Sequence, residues 1–155
     1  MTPKSRLLQF FRYGIAGAIA TMVHVCLFYL LAWKVFPALH SDDPVVKLLG
    51  LTVSPVSVTT RSLDSMVCNG VAFIFSNMVA YLINIAWVFE TGRHRRLVEI
   101  FLFYLVSGLS VFIGTIVMGA MIRYMGVHTS TAFLVNIIIS LMLNFGFRKF
   151  FIFKG

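Results

Sequence analysis

The chain has 155 residues, of which 59% are hydrophobic and 12% charged, with a mean hydropathy of +0.93. That balance excludes an ordinary water-soluble domain of this size, which needs a polar exterior. Thirteen Lys and Arg against five Asp and Glu give a net charge of +8. Because the basic residues flank apolar runs, this excess reads as membrane topology and contact with lipid phosphates, not nucleic acid.

In chain order, the first uncharged run lies between Arg12 and Lys34. As a helix rising ~1.5 Å per residue it reaches roughly 30 Å, the thickness of the hydrocarbon core. It is too long for a cleaved leader and has no small-residue cleavage site after it, so it is expected to stay as a span. Further runs follow at Met66–Phe89 and Ile100–Ile122, and a fourth starts near Thr129 after Gly126 and His128. The predicted architecture is an all-α integral membrane protein, a single membrane domain over 1–155 with spans at about 13–33, 66–89, 100–122 and 129–147. An external loop covers 34–65. Inside it, "LTVSPVSVTT" (Leu51 to Thr60) alternates apolar and hydroxyl residues and suggests a short strand pair, which Pro55 keeps brief. Cys26 and Cys68 lie at different depths, so no disulfide is expected.

Charge orients the chain. Lys4, Arg6, Arg12, Arg93, Arg95, Arg96, Arg148, Lys149 and Lys154 flank one side, offset by Glu90 and Glu99. Lys34, Lys47, Arg61 and Arg123 lie on the other with Asp42, Asp43 and Asp64. The positive-inside rule then places both termini and the 90–99 loop in the cytoplasm. The two halves also align: "YGIAGAIATMVHV" from Tyr13 over "YLVSGLSVFIGTI" from Tyr104, with Gly17 on Gly108. Two helical hairpins of one orientation follow, related by an axis along the membrane normal.

Polar residues recur at helical spacing within the spans. Asn136, Ser140 and Asn144 are four apart, Asn77 and Asn84 seven apart with Ser76 beside the first, and Gly14, Gly17, Thr21 and His24 form one stripe. Such groups either hydrogen-bond between packed helices or line a path through the bilayer. His24 is the one histidine expected near mid-membrane, either donating to a neighbouring Asn or changing charge near neutral pH. Trp87, Phe89, Phe150, Phe151 and Phe153 read as interfacial aromatics. The third span holds the small-xxx-small pairs Ser110/Gly114 and Thr115/Gly119, which favour close helix contact. With no nucleophile–base pair, metal-ligand cluster or phosphate loop, no catalysis, metal or cofactor is expected.

"FFRYGIAGAIATMVHVCLFYLL", "AYLINIAWVFE" and "NFGFRKFFIFKG" together resemble the GtrA-like family of small four-helix membrane proteins, over roughly residues 8–154. The family's Asn then Trp-x-Phe falls on Asn84, Trp87 and Phe89. Its Asn-Phe followed by paired basic residues falls on Asn144, Phe145, Arg148 and Lys149. The chain departs from the pattern at Ile85 and Ala86, where basic residues are common, and at His24, where an Asp is common. The resemblance implies movement of polyprenyl-phosphate-linked sugars across the bacterial inner membrane for cell-surface polysaccharide synthesis, with glycosyltransferases as partners. On that reading Arg12, Arg148 and Lys149 are the phosphate-binding candidates. Thr21, His24, Asn77, Asn84, Asn136, Ser140 and Asn144 form the polar path. A homo-oligomer is expected because four helices enclose little volume. A non-transporting scaffold for a glycosyltransferase is the alternative. Efflux of small cations is disfavoured, because no span carries an acid to hold one.

Overall fold

The computed structural model describes residues 3–88 and 96–151. Five α-helices follow one another: α1 Pro3–Lys34, α2 Pro44–Leu49, α3 Val58–Ile83, α4 Arg96–Met125 and α5 Thr129–Phe151. The last turn of α3 widens into a π-helical stretch, Asn84–Val88. Three segments are long and apolar enough to cross a bilayer: Phe11–Lys34, Val58–Trp87 and Ser107–Met125. The apolar part of α5, Thr129–Asn144, is shorter, within a helix of 23 residues.

Side-chain pairs fix the direction of each helix. On α3, Asn69 and Ser76 meet His24 of α1, and in the π-helical stretch that follows, Trp87 meets Arg12. Ser62 meets Gly119 of α4, and Ile74 meets Tyr104. On α5, Ser140 meets Ser110 of α4, and Asn136 lies against Gly114. Partners run in opposite chain order each time, so α1, α3, α4 and α5 alternate in direction. The 35–57 and 126–128 connections lie at one end of the bundle, here the loop end, and Pro3 and Phe151 lie toward the other. Packing is extensive between α1 and α3, α3 and α4, and α4 and α5. Gly114 makes the last pairing close, since a Cβ there would land on Asn136 Oδ1 and 2.7 Å from Ser140 Oγ. Gly119 is likewise pressed on Met66 of α3. These small residues are therefore used in packing within the chain.

The core is concentrated at the loop end. Phe28, Ala32, Ala38, Leu39, Val46, Cys68, Ala72, Met118, Ile122, Ala132 and Phe133 form it. Phe28 of α1 and Phe133 of α5 stack with ring centroids 3.7 Å apart. The first loop folds down over this end. Asp43, fully buried, accepts from its own helix at Val45 N (3.1 Å), and from α5 at Ser130 N (2.9 Å) and Ser130 Oγ. One carboxylate thus caps α2 and the start of α5, where unpaired N–H groups and the helix dipole favour a negative charge. Tyr29 Oη donates to Ser130 Oγ (2.9 Å), and Thr129 Oγ1 donates to Ala38 O (2.5 Å). Gly50, at φ 61°, closes α2, and Gly126, at φ 66°, makes the turn into α5. Both conformations cost little only without a Cβ.

Two expectations change. Residues 51–57 form no strand. Ser57 Oγ accepts from Thr60 N (3.1 Å) and starts α3 at Val58, so the alternating segment ends in the first residues of a helix, while Trp33 Nε1 ties its start down at Thr52 O (2.9 Å). Helix α3 accordingly begins eight residues before the expected Met66, because Arg61 and Asp64 interrupt the hydropathy without interrupting the helix. Helix α1 likewise starts at Pro3, ahead of its apolar run. Cys26 and Cys68 are both free thiols.

Candidate functional site

Toward the termini the bundle is hollow. A cavity of about 520 Å³ lies there, lined from α1, α3, α4 and α5, a volume within the usual range for small-molecule sites. All seven residues of the expected polar path line it: Thr21, His24, Asn77, Asn84, Asn136, Ser140 and Asn144. Gly14 and Gly17 of α1 face it with nothing within 4 Å of where a Cβ would stand, so these glycines widen a space and do not tighten a helix contact. The first and last helices meet near the loop end through Phe28, Tyr29, Ser130 and Phe133. Nearer the termini the cavity separates them, and the lining residues Gly14, Gly17, Ala18, Thr21 and Leu141 are exposed. The cavity therefore opens sideways along the α1–α5 seam.

Its closed end is a polar junction of all four long helices. Thr115 Oγ1 donates to Val111 O (2.7 Å), so toward Asn69 it can only accept, and Asn69 Nδ2 donates to it (2.6 Å). That turns Asn69 Oδ1 toward His24 and Asn136. It accepts from Asn136 Nδ2 (3.0 Å) and from His24 Nε2 (2.9 Å), which fixes the proton on Nε2. His24 Nδ1 faces Ser76 Oγ at 3.1 Å. The expectation that His24 donates to an Asn describes this contact, but the partner is Asn69, a residue absent from the predicted path. Its spacing, seven before Ser76, is the signal that marks it. Ser107 and Ser110 of α4 also line the cavity.

Three buried amide atoms in the cavity have no partner among the described residues: Asn77 Nδ2, Asn84 Oδ1 and Asn144 Oδ1. Asn77 and Asn84 are 7% and 6% exposed. A buried polar atom left unpaired costs roughly 1–3 kcal/mol, so a donor and two acceptors here form a surface complementary to hydroxyl groups. Asn84 opens the π-helical stretch, while its Nδ2 donates back to Ala80 O (2.8 Å). Such local widening of a helix recurs at functional positions. Among the described residues that line the cavity there is no Lys, Arg, Asp or Glu.

At the termini end Arg12 lies over the Trp87 ring, 5.7 Å from its centroid, and Nη1 reaches Trp87 O at 3.4 Å. Trp87 is 44% exposed. Of Arg148, Lys149 and Phe151 the structure gives the α5 backbone, which carries them to the same end as Arg12. Phe89, Arg93 and Arg95 lie outside the described residues. No group of three or more His, Cys, Asp or Glu suited to a metal occurs among the described residues.

Apolar spans, outward-facing side chains such as Met22, Phe75, Phe112 and Met142, and an internal polar cavity define a multi-pass membrane protein. The chain belongs to the GtrA/DPMS transmembrane-domain family, whose model matches residues 12–153. No curated protein and no solved structure matches it significantly. Membership associates the chain with glycosyl-lipid-related membrane function.

Proposed function

We propose that this protein moves a polyprenyl-phosphate-linked monosaccharide across the bacterial inner membrane, without itself catalysing a reaction. The observation that carries the reading is the cavity: its described lining has no Lys, Arg, Asp or Glu, sets amides and hydroxyls among apolar side chains, and has three amide atoms unpaired among the described residues and a side opening to lipid. A sugar offers hydroxyls that both donate and accept, matching Asn77, Asn84 and Asn144. The seam between α1 and α5 lets the polyprenyl tail stay in the bilayer while the head group enters. Ionised residues at the bilayer centre cost about 3 kcal/mol each on insertion scales, so an uncharged lining is the less costly route for a polar head group. Arg12 at the termini end, with Arg148 and Lys149 on the last turns of α5, holds the phosphate at the interface.

In this reading α5 completes a fourth span, both termini are cytoplasmic, and the two hairpins derive from one repeat. Glycosyltransferases on either side load the lipid and use it. The small-residue pairs of α4 are occupied within the chain, so a homo-oligomer would have to form through another surface.

The test is transbilayer movement of a labelled polyprenyl-phosphate sugar in liposomes, followed with a membrane-impermeant reagent. Wild-type protein should move it, and the Asn84→Ala/Asn144→Ala double variant should slow movement at least tenfold. Folded wild-type protein that moves nothing would reduce its role to that of a scaffold.

A further inference from the structure

We propose that His24 is a proton-binding site that supplies the counter-charge for the lipid phosphate at the closed end of the cavity, so that one proton is taken up as the head group reaches it. This inference rests on the lipid-phosphate reading above and adds to it an ion that the reading does not assign.

The hydrogen bonds around His24 can be completed by the imidazolium as well as by the neutral ring, so the junction can take up a proton without rearranging. Nε2–H is committed to Asn69 Oδ1 in either state, because the Thr115 and Asn136 contacts hold that amide in one orientation. Ser76 Oγ has one proton and two acceptors within reach, His24 Nδ1 at 3.1 Å and Phe73 O at 3.2 Å. With neutral His24 that proton goes to Nδ1, because Phe73 O, inside α3, already accepts from the helix backbone. With a proton on Nδ1, the ring donates to Ser76 Oγ and Ser76 turns its own proton to Phe73 O, so protonation leaves no group at the junction without a partner. The ring lies against Phe133, centroids 5.7 Å apart and 23° from parallel, which keeps both nitrogens in the hydrogen-bonding plane.

The surroundings make this charge consequential. Among the described lining residues, His24 is the one that changes charge near neutral pH; Tyr13 is the other titratable one. The groups packed on His24 are Asn69 and Ser76 from α3 and Phe133 from α5, none ionisable near neutrality. Several other described titratable groups on these elements lie away from it. Arg61, Asp64 and Cys68 are on the loop-end side of Asn69, with Cys68 Sγ directed at Phe36 O. Tyr29 is bonded to Ser130, whose backbone and hydroxyl are held by Asp43. On α4, Tyr104 bonds Ile74 O and Arg123 lies over Tyr124. Arg12 is twelve residues earlier on α1, roughly 18 Å along the helix. A phosphate that leaves Arg12 and enters the cavity therefore meets no other described cation at the closed end. Burying an unpaired anion is far more costly than burying a paired one. Proton and phosphate thus bind with positive coupling, and coupling is reciprocal: the phosphate promotes protonation as much as protonation promotes phosphate binding. The proton reaches Nδ1 from water through the open cavity.

The probe is farnesyl methyl phosphate, a phosphodiester whose single negative charge is constant across the neutral pH range. Binding to the full chain in lipid nanodiscs is measured by titration calorimetry from about pH 5.5 to 8.5 in buffers of different ionisation enthalpy. The expected result is a buffer-dependent heat showing uptake approaching one proton at the alkaline end, with affinity falling by up to about tenfold per pH unit there. His24→Gln, which can still donate to Asn69, should abolish both. Ser76→Ala removes the acceptor for Nδ1–H and should move the midpoint of the affinity profile to lower pH, which keeps the assignment testable if the glutamine variant does not fold. Tight binding with a buffer-independent heat and flat affinity in the wild type would overturn the proton site and leave the lipid-phosphate reading intact. Proton uptake that persists in His24→Gln, or a midpoint unmoved in Ser76→Ala, would also overturn it. No binding at any pH would overturn both.

Discussion

The two ends of the bundle solve opposite problems with the same helices. At the loop end α1 and α5 touch through the Phe28–Phe133 stack, and Asp43 ties the first loop to the start of α5. Toward the termini the same two helices part around a cavity, with glycines on α1 facing open space. Hydrogen bonding differs in the same sense. The loop end satisfies a buried carboxylate with three donors, while three buried amide atoms in the cavity have no partner among the described residues. A bundle that only anchored something would gain by packing both ends; this one is closed at one end and left receptive at the other.

The largest effect that would break this contrast is expected at Asp43. Asp43→Ala leaves Val45 N and both Ser130 donors without an acceptor and should cost about 2–4 kcal/mol, read as the unfolding midpoint in detergent. A loss under about 0.5 kcal/mol, within the range of ordinary surface changes, would mean that the loop does not hold this end closed.

Gly114 and Gly17 sharpen the comparison, since both are helical glycines in small-residue stripes. Gly114→Ala drives a methyl into Asn136 and Ser140 and should destabilise by about 1–3 kcal/mol. Gly17→Ala meets nothing and should stabilise by about 0.5–1 kcal/mol through helix propensity. Thermal melts of the two variants should move in opposite directions; the same direction would contradict the open seam.

The smallest effect is expected at the exposed loop. Lys47 Nζ lies 3.0 Å from Asp42 Oδ1, and its hydrogen bond and charge hold the Asp42 carboxyl below its usual range. A carboxyl with a lowered folded-state pKa adds stability above its unfolded pKa and loses it as pH falls through the folded one. The pair is exposed, so Asp42→Asn should shift the melting midpoint slightly at pH 7 in low salt and not at all in high salt. A large shift that survives salt would make this loop part of the end's closure.

What could be read in advance follows from periodicity. The polar residues that share the cavity recur at three-, four- or seven-residue intervals, so their common face is a property of each helix alone, and His24 needs only an adjacent stripe to find a partner. Asp43 escaped because its role is long-range. It stands in a loop 87 residues from Ser130, and nothing local marks it as the cap of α5. Gly114 and Gly17 looked alike because a small-residue stripe states that backbone can approach, not whether it does. The alternation at Leu51–Thr60 misled because period-two polarity in a short segment is also what a coil followed by a Ser-capped helix presents.

The most direct test of the receptive end is to fill it. Gly17→Leu should fold and melt at or near the wild-type midpoint, because its side chain enters space that the protein leaves empty. In liposomes it should lose transbilayer movement of a labelled polyprenyl-phosphate sugar, by tenfold or more against wild type. A stable Gly17→Leu protein that moves the lipid at the wild-type rate would show that the cavity is not the path, and would contradict the account at its centre.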